Sequence, residues 1–426
     1  MLKKFIGIIT TAVLSLALVL PGQVANAATF SKRVYGTDRY QTSVKIAQQG
    51  WSKSDYAVIA SGQGFADALS AAPLAKKYNA PILLNGKDAL DANTKSELQS
   101  LSTKNVFLIG GTGSISSNVE SQLKSMGITV TRISGSDRFK TSLAVAKSLG
   151  SFDGVVVANA QGFADALSIA PIAASQGMPI ILTSSGALSA DTRSFLDSSN
   201  YTKSYIVGGT SSVSDSVKSQ LKNPARIGGA NRYATNAAVL TQFKDSFSYD
   251  KVYVASGQNY PDALSGSVLA AKYNSPLVLV GSSVDTSVIN AVKAKNSSYG
   301  NVIALGGTSV VSDLNAGDIA RGVITPKPTP VKPTPKPAVN TKVTASLSNT
   351  RPKKYSTIYL YVTGPVGSKV TATCYYKTTN SAYTGTIGSN GKASIAIKIA
   401  RATSGRNVPI VVYVGNTKVQ TSFTPQ

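Results

Sequence analysis

The sequence predicts an α/β fold repeated three times in tandem, followed by a separate all-β domain. Two observations carry this prediction. Four short motifs recur in the same order between residues 33 and 320, and the Gly-Gly pairs of the three copies begin at 110, 208 and 306. This period is too long for a solenoid unit and matches a small domain. After residue 341, short β-branched and aromatic runs alternate with Gly, Asn and Ser, a pattern typical of strands and turns.

The N-terminal segment has the parts of a secretory signal peptide. Two lysines are followed by an apolar run over residues 5–20 and by small residues at 25–27. The run is slightly short for a membrane-spanning helix. We therefore expect residues 1–27 to be cleaved, with no membrane anchor left on the mature chain. This indicates a secreted protein, for which a nucleic-acid partner is not expected.

Each of the three copies is predicted to alternate strands with helices. In the first copy, an opening helix over 38–49 has Thr37 or Asp38 near its N-cap. The predicted elements that follow are a strand at 56–60, a helix at 65–78, a strand at 81–84, a helix at 92–102 and a strand at 105–109. Such alternation predicts a mostly parallel sheet with helices on both faces. We place the repeats at 28–129, 130–223 and 224–322.

The four repeated motifs are specific when they are taken together. Their copies are RVYGTDRY (33–40), RISGSDRF (132–139) and RIGGANRY (226–233); SGQGFADALSAAPLA (61–75), NAQGFADALSIAPIA (159–173) and SGQNYPDALSGSVLA (256–270); PILL (81–84), PIIL (179–182) and PLVL (276–279); and a strand ending in Gly-Gly-Thr. They resemble the cell-wall-binding type 2 repeat family of Gram-positive surface proteins, including clostridial S-layer proteins and cell-wall amidases. The resemblance implies Rossmann-like modules packed as a pseudo-threefold unit, and binding to an anionic cell-wall polysaccharide or teichoic-acid-like polymer.

The third copy departs from the pattern in two places. Asn231 stands where the other copies have Asp38 and Asp137, and residues 259–261 read Asn-Tyr-Pro instead of Gly-Phe-Ala. A proline at 261 suits the first turn of a helix. These changes put in doubt whether the third module binds as the others do.

Glycines and aspartates follow the predicted strands, where an open α/β sheet binds its ligands. Helix N-termini at that edge offer N–H groups to anions. The candidate glycines, which could also simply form tight turns, are Gly62, Gly110, Gly111, Gly162, Gly208, Gly209, Gly306 and Gly307. Asp67, Asp165 and Asp262 are each expected in a first helical turn, where they could stabilise the helix or accept a hydrogen bond from a sugar.

Two arginines open each copy, six residues apart. Arg39, Arg138 and Arg232 are candidates to bind phosphate or carboxylate through their planar guanidinium groups. An ion pair with the three aspartates, or a contact between modules, is an equally good interpretation.

The residue inventory excludes several kinds of catalytic site. The chain has no histidine, so it cannot form a Ser-His-Asp triad, a Cys-His dyad or a His-ligated zinc site. Its single cysteine, Cys374, is interpreted as a small buried hydrophobe in a strand. We predict a binding protein without cofactor or metal. A carboxylate-dependent wall hydrolase and a self-assembling surface-layer protein remain as alternatives.

Positive charge is concentrated near the C-terminus. A linker rich in Pro and Lys is predicted at 323–340, followed by a β-sandwich at 341–426 with 11 Lys and Arg and no Asp or Glu. The whole chain has a net charge of +24, of which residues 28–320 hold only +7. The last domain, with its interleaved tyrosines, could be presented outward or could add charge-driven affinity for teichoic acid, another anionic glycan or nucleic acid.

Overall fold

The computed structural model describes residues 30–294, 300–325 and 342–426. They fall into two compact units that divide after Thr325. We call residues 30–325 the repeat unit and residues 342–426 the tail domain. The predicted signal peptide and nearly all of the predicted linker lie outside the described residues.

The repeat unit alternates strands and helices along its length. Its first third contains β1 (Phe30–Val34), α1 (Arg39–Ala47), β2 (Tyr56–Ser61), a 3-10 turn (Ala68–Ser70), α2 (Ala71–Lys77), β3 (Ile82–Asn85), α3 (Ala92–Ser100), β4 (Asn105–Ile109) and α4 (Ser117–Ser125). The second third contains β5 (Thr129–Ile133), α5 (Arg138–Leu149), β6 (Gly154–Asn159), α6 (Ala164–Ser175), β7 (Ile180–Thr183), α7 (Ala190–Asp197), β8 (Lys203–Val207) and α8 (Asp215–Lys218). The last third contains β9 (Pro224–Ile227), α9 (Arg232–Gln242), β10 (Lys251–Ser256), α10 (Pro261–Lys272), β11 (Leu277–Val280), α11 (Thr286–Lys293), β12 (Asn301–Leu305) and α12 (Asp313–Arg321).

These strands form three four-stranded parallel sheets, which confirms the predicted α/β class. The strand orders are β3-β2-β4-β5, β7-β6-β8-β9 and β1-β12-β10-β11. The strand that opens each repeat in sequence pairs with the sheet of the preceding repeat. The first strand of all, β1, joins the third sheet, with Val34 paired to Leu305. The three modules are therefore linked in a closed ring.

The centre of the repeat unit is a cluster of three equivalent helices. The helices α2, α6 and α10 contact one another, and ten of the twelve residues of α6 are buried. Their Ala-rich sequences allow the backbones to approach closely. At their N-terminal ends the equivalent aromatic residues Phe65, Phe163 and Tyr260 meet pairwise, with ring centroids 5.6–6.2 Å apart. This trio marks the pseudo-threefold axis.

The structure adjusts the predicted local elements. Asp38 is the N-cap of α1 and accepts a hydrogen bond from the amide of Gln41, as predicted. Pro261 occupies the first turn of α10, also as predicted. The continuous helix predicted over 65–78 is wrong, because a 3-10 turn fills 68–70 and the α-helix begins only at Ala71.

The tail domain is all β, as predicted. Its strands are β13 (Thr344–Leu347), β14 (Thr357–Thr363), β15 (Lys369–Tyr375), β16 (Asn380–Thr386), β17 (Lys392–Lys398), β18 (Val408–Val414) and β19 (Thr417–Phe423). They form two antiparallel sheets, β13-β14-β17 and β16-β15-β18-β19, whose inner faces share one hydrophobic core. Cys374 is fully buried in that core, which confirms its interpretation as a small hydrophobe.

Candidate functional site

The first arginine of each motif joins neighbouring modules. Arg33, Arg132 and Arg226 lie on β1, β5 and β9, the strands added to the sheet of another repeat. Their Nη1 atoms donate to the carbonyl oxygens of Gly306, Gly110 and Gly208 at 2.7, 2.8 and 3.0 Å. Each also pairs with an acid on the next helix of that sheet, namely Asp313, Glu120 and Asp215. These arginines hold the ring together.

The two glycines of each Gly-Gly pair have different surroundings. Gly110, Gly208 and Gly306 have φ values of +104°, +113° and +97°, which favour glycine. A Cβ atom on Gly110 would lie 2.8 Å from Oδ2 of Asp67, and a Cβ atom would come closer still to an aspartate in the other two copies. A Cβ atom on Gly111 would meet nothing within 4 Å, and on Gly209 or Gly307 it would meet only a serine Oγ, at 4.0 or 3.9 Å. The first glycine is therefore structural, and the second leaves room in front of the strand.

The three aspartates pack against these turns. Oδ2 of Asp67 accepts a hydrogen bond from Oγ of Ser114 at 2.8 Å. Asp165 and Asp262 lie in the first turns of α6 and α10, as predicted. Burial raises the pKa of each of these two carboxyls to about 6, while Arg232 acts on Asp165 and Arg39 on Asp262 to lower the pKa.

The second arginine of each motif extends between modules. Arg232 opens the third repeat yet faces Asp165 of the second, and Arg39 of the first repeat faces Asp262 of the third. Each side chain is fixed within its own repeat by a bond to the carbonyl that follows the next strand. The acceptors are Gly62 for Arg39, Ala160 for Arg138 at 3.0 Å and Gly257 for Arg232 at 2.7 Å.

Gly62 and Gly162, both candidate site residues, occupy different positions in the repeat. Gly62 corresponds to Ala160 and Gly257. A Cβ atom on Gly62 would lie 2.5 Å from the ring of Tyr40, so this glycine makes room for a side chain. Gly162 instead faces open space and lines a cleft.

Three equivalent clefts lie between consecutive modules, where these groups converge. The 1–2 cleft is lined by Gly64, Ala66, Asp67, Gly111, Gly113, Ser114, Gly135, Ser136, Asp137 and Arg138. The 2–3 cleft is lined by Phe65, residues 161–165, Gly209, Ser211, Ser212, residues 229–232 and Thr235. The 3–1 cleft is lined by residues 36–39, Thr42, residues 259–262, Gly307, Ser309 and Val310. Their volumes are about 440, 360 and 290 Å³.

Every cleft combines parts of two repeats. One repeat supplies the aspartate, the second glycine of its pair and the start of its central helix. The following repeat supplies the arginine and the N-terminus of α5, α9 or α1. In the 3–1 cleft the following repeat is the first, because β1 closes the ring. The predicted arginines and aspartates therefore do meet, across module boundaries, together with Gly162 and the second glycine of each pair. The other predicted glycines, Gly62, Gly110, Gly208 and Gly306, do not line a cleft.

The formal charges of the three clefts differ. Each holds one arginine and the aspartate of the preceding repeat, and the 1–2 and 3–1 clefts also hold a second carboxylate, Asp137 or Asp38. The residue before the arginine is Asp38, Asp137 or Asn231, and it caps the following helix through its side chain. These caps, and Ser114, were missed as cleft residues from the sequence. Their recurrence beside the motif residues in two copies was the available signal.

The structure describes no group of three or more His, Cys, Asp or Glu residues that could hold a metal ion. Within the same residues, no helix is both long and apolar enough to cross a bilayer.

Comparisons with known proteins agree with this architecture. A family model described as cell wall binding domain 2 matches residues 33–120, 132–218 and 226–315, more than half of the chain. The N-acetylmuramoyl-L-alanine amidase LytC of Bacillus subtilis is 38% identical over 324 residues, which cover 76% of this chain and 64% of the amidase. The amidase enhancer of the same organism is 38% identical over 251 residues, covering 58% of this chain and 34% of the enhancer.

Two solved structures share the fold. Cwp6 from Clostridium difficile matches with a TM-score of 0.65 and 32% identity, covering 69% of this chain and 48% of Cwp6. Cwp8 from the same organism matches with a TM-score of 0.63 and 30% identity, covering 70% of this chain and 52% of Cwp8. The chain thus spans less than two thirds of the length of each of these four proteins.

Proposed function

Because the chain belongs to the cell wall binding domain 2 family, whose repeats bind the cell wall, we propose that it is a secreted protein anchored non-covalently to a Gram-positive wall. The proposed ligand is an anionic secondary wall polysaccharide or teichoic-acid-like polymer. It binds at the three clefts between modules. The observation that carries this proposal is the convergence of an arginine, an aspartate and exposed glycine backbone in each cleft.

The backbone around each cleft favours an anion. In the 2–3 cleft, the N-termini of α6 and α9 both contribute lining residues. Both bring the partial positive charge of a helix N-terminus, and α6, which has no side-chain cap, also offers free N–H groups. Arg232 adds a full positive charge and a planar donor group. The cleft glycines leave the backbone open to a polymer chain, and Asp165 can accept hydrogen bonds from sugar hydroxyls.

Three clefts on one rigid ring also permit multivalent binding. A polymer that repeats the same charged unit can occupy more than one cleft, and the second contact then forms at a high effective concentration. Such binding depends on placed groups more than on net charge, in keeping with the modest charge of +7 on residues 28–320.

The unusual residues of the third repeat belong to two different clefts. Asn231 lines the 2–3 cleft, and residues 259–261 line the 3–1 cleft. No cleft is therefore made by the third repeat alone. Because Asn231 replaces a carboxylate, the 2–3 cleft repels an anion least, and we expect it to bind the polymer most strongly.

A wall-retention assay with charge-matched variants tests the proposal. The full mature chain is incubated with Gram-positive cell walls, before and after the anionic polymer is stripped chemically. Arg232→Gln should reduce retention on intact walls several-fold. Lys203→Gln removes the same charge at the start of β8. The clefts lie at the opposite, C-terminal ends of the strands, so this variant should change retention little.

Two outcomes would contradict this assignment. Equal retention on intact and stripped walls would exclude the anionic polymer as the ligand. Equal loss in both variants would show that bulk charge, and not the cleft, holds the protein. A cleared band in a peptidoglycan zymogram would instead support the hydrolase alternative.

A further inference from the structure

The tail domain has a cation cluster for which the sequence provides no internal counter-charge. Residues 342–426 contain 11 Lys and Arg and no Asp or Glu. No side chain of this domain can therefore neutralise another by an ion pair within it. Where several of these cations face one cavity, the favourable partner is an anion from outside the domain.

Four of the cations line one cavity at one end of the β-sandwich. The loop after β15 contributes Lys377, the end of β17 contributes Lys398, and the loop from β17 to β18 contributes Arg401 and Arg406. The cavity has a volume of about 280 Å³, close to the lower end of the usual range for small-molecule sites, about 300 Å³. This cavity can hold a phosphate or carboxylate group together with part of the ligand molecule that carries the group.

A buried hydroxyl adds a second observation at the same cavity. Tyr376 lines it, and the Tyr376 hydroxyl oxygen is buried without a hydrogen-bond partner among the described residues. A buried polar atom without a partner is costly. The ring is held in place by an edge-on contact with Phe423, at 6.2 Å between centroids. Burial raises the pKa of Tyr376 to about 12, so the hydroxyl stays protonated and still has a hydrogen to donate.

We propose that this cavity, which we call the tail cavity, is a second anion-binding site that takes a phosphodiester group of an anionic wall polymer. The cations supply charge-assisted hydrogen bonds to phosphate oxygens, and the hydroxyls of Thr378, Ser381 and Thr403 suit the polyol or sugar between them. The site lies in a different compact unit from the three clefts and does not depend on them.

The lining favours such a polymer over nucleic acid. Proteins that bind single-stranded nucleic acid usually stack bases on exposed aromatic rings. Tyr376 is the only aromatic residue among those lining the cavity, and its ring is packed on Phe423. The lining itself thus offers cations and hydroxyls but no exposed ring for a base; the exposed Tyr355, whose hydroxyl accepts a hydrogen bond from Nε of Arg401, lies outside it.

Calorimetric titration of the full mature chain tests the site. The probes are soluble poly(glycerol phosphate) and, separately, a 20-nucleotide oligothymidylate. To isolate the tail cavity, the titrations use a background in which Arg39, Arg138 and Arg232 are all changed to Gln. Binding of poly(glycerol phosphate) should persist in that background. Loss of poly(glycerol phosphate) binding in this background would overturn the proposal of a separate site, because the clefts would then account for all of the binding.

Matched pairs of variants then locate the binding. The double variant Arg401→Gln, Arg406→Gln should weaken the binding of poly(glycerol phosphate) about tenfold or more, because each substitution removes a charge-assisted hydrogen bond. Lys369→Gln with Lys418→Gln removes the same charge from the other end of the sandwich and should change affinity less than about threefold, by long-range attraction alone. Equal losses in the two pairs would overturn the proposal.

A third variant guards against misfolding. Tyr376→Phe removes only the hydroxyl, so it should weaken the binding of the polymer several-fold. The thermal unfolding midpoint of the tail domain should stay the same or rise. Unchanged affinity would exclude the hydroxyl from the site. Binding of oligothymidylate as tight as that of poly(glycerol phosphate) would overturn the choice of a wall polymer in favour of nucleic acid.

Discussion

Replacing Asp262 by Asn should reduce the pH dependence of the stability of the repeat unit. Burial raises the pKa of Asp262 from 3.8 to about 6 in the folded protein. The folded state therefore binds a proton more tightly than the unfolded state does. The sign follows directly: this stability is fully present below the unfolded pKa and is lost as pH rises through the folded pKa.

The magnitude follows from the two pKa values. Between pH 5 and pH 7.5 the folded state gives up most of a proton at Asp262, whereas the unfolded state is already ionised. One pKa unit corresponds to about 1.36 kcal/mol, and integration over this range lowers the free energy of unfolding by about 1.4 kcal/mol. Asp165, whose pKa is also raised to about 6 by burial, should contribute a similar amount.

The chain contains its own probe for this measurement. Trp51 is the only tryptophan, and it is buried in the repeat unit with 6% of its surface exposed. Its fluorescence therefore reports unfolding of this unit in guanidinium chloride. The tail domain contains no Asp, Glu or His, so its own transition, followed by circular dichroism, should not move between pH 5 and pH 7.5.

A second aspartate provides a matched control. Asp285 caps α11, and its hydrogen bonds with Ser287 lower the pKa of its carboxyl below 3.8. It remains ionised across the tested range, so Asp285→Asn should keep the wild-type difference between pH 5 and pH 7.5. Asp262→Asn should reduce that difference by about 1.4 kcal/mol. If Asp262→Asn kept the wild-type difference, Asp262 would not be the group that titrates between these two pH values.

Three other predictions follow from the same geometry. Gly306→Ala should destabilise the repeat unit by about 1–3 kcal/mol, because φ is +97° and Asp262 fills the space. Gly307→Ala, whose added methyl group would meet only Oγ of Ser309 at 3.9 Å, is the control, and equal unfolding midpoints of the two variants in guanidinium chloride would contradict this prediction. Arg33→Met should speed amide hydrogen exchange in β1 but not in β2, because Arg33 bonds Gly306 and Asp313 across the ring closure; unchanged exchange would show that the closure does not need it. Retention on walls should rise when the pH is lowered from 7.5 to 5, because Asp165 and Asp262 lose their negative charge. If the double variant Asp165→Asn, Asp262→Asn showed the same rise, the cause would lie elsewhere.

Much of the fold was accessible from the sequence because it depends on local patterns repeated three times. The predicted strands and most predicted helices exist, since alternating β-branched runs and Ala-rich segments encode them independently of their neighbours. The helix predicted from residue 65 failed because the first turn is shaped by tertiary contacts. Phe65 packs on Phe163 and Tyr260 there, and the regular helix begins only at Ala71.

The candidate site was predicted in its residue types but not in its location. The sequence showed which arginines, aspartates and glycines recur, and most of these residues do come together. It left open whether Arg39 served a ligand, an ion pair or a module contact. Gly110 and Gly111 looked alike in sequence, but only the first has a positive φ and an aspartate against it.

The three α/β copies, the basic tail domain without acids and the kinds of side chain available for binding all follow from the amino-acid sequence alone. Tertiary packing is what places each cleft between two repeats and adds β1 to the third sheet, which completes the 3–1 cleft. This is because a repeat in sequence begins one strand before its own sheet. A pattern along the chain can reveal that strand, but its hydrogen-bond partner is selected by packing across the ring.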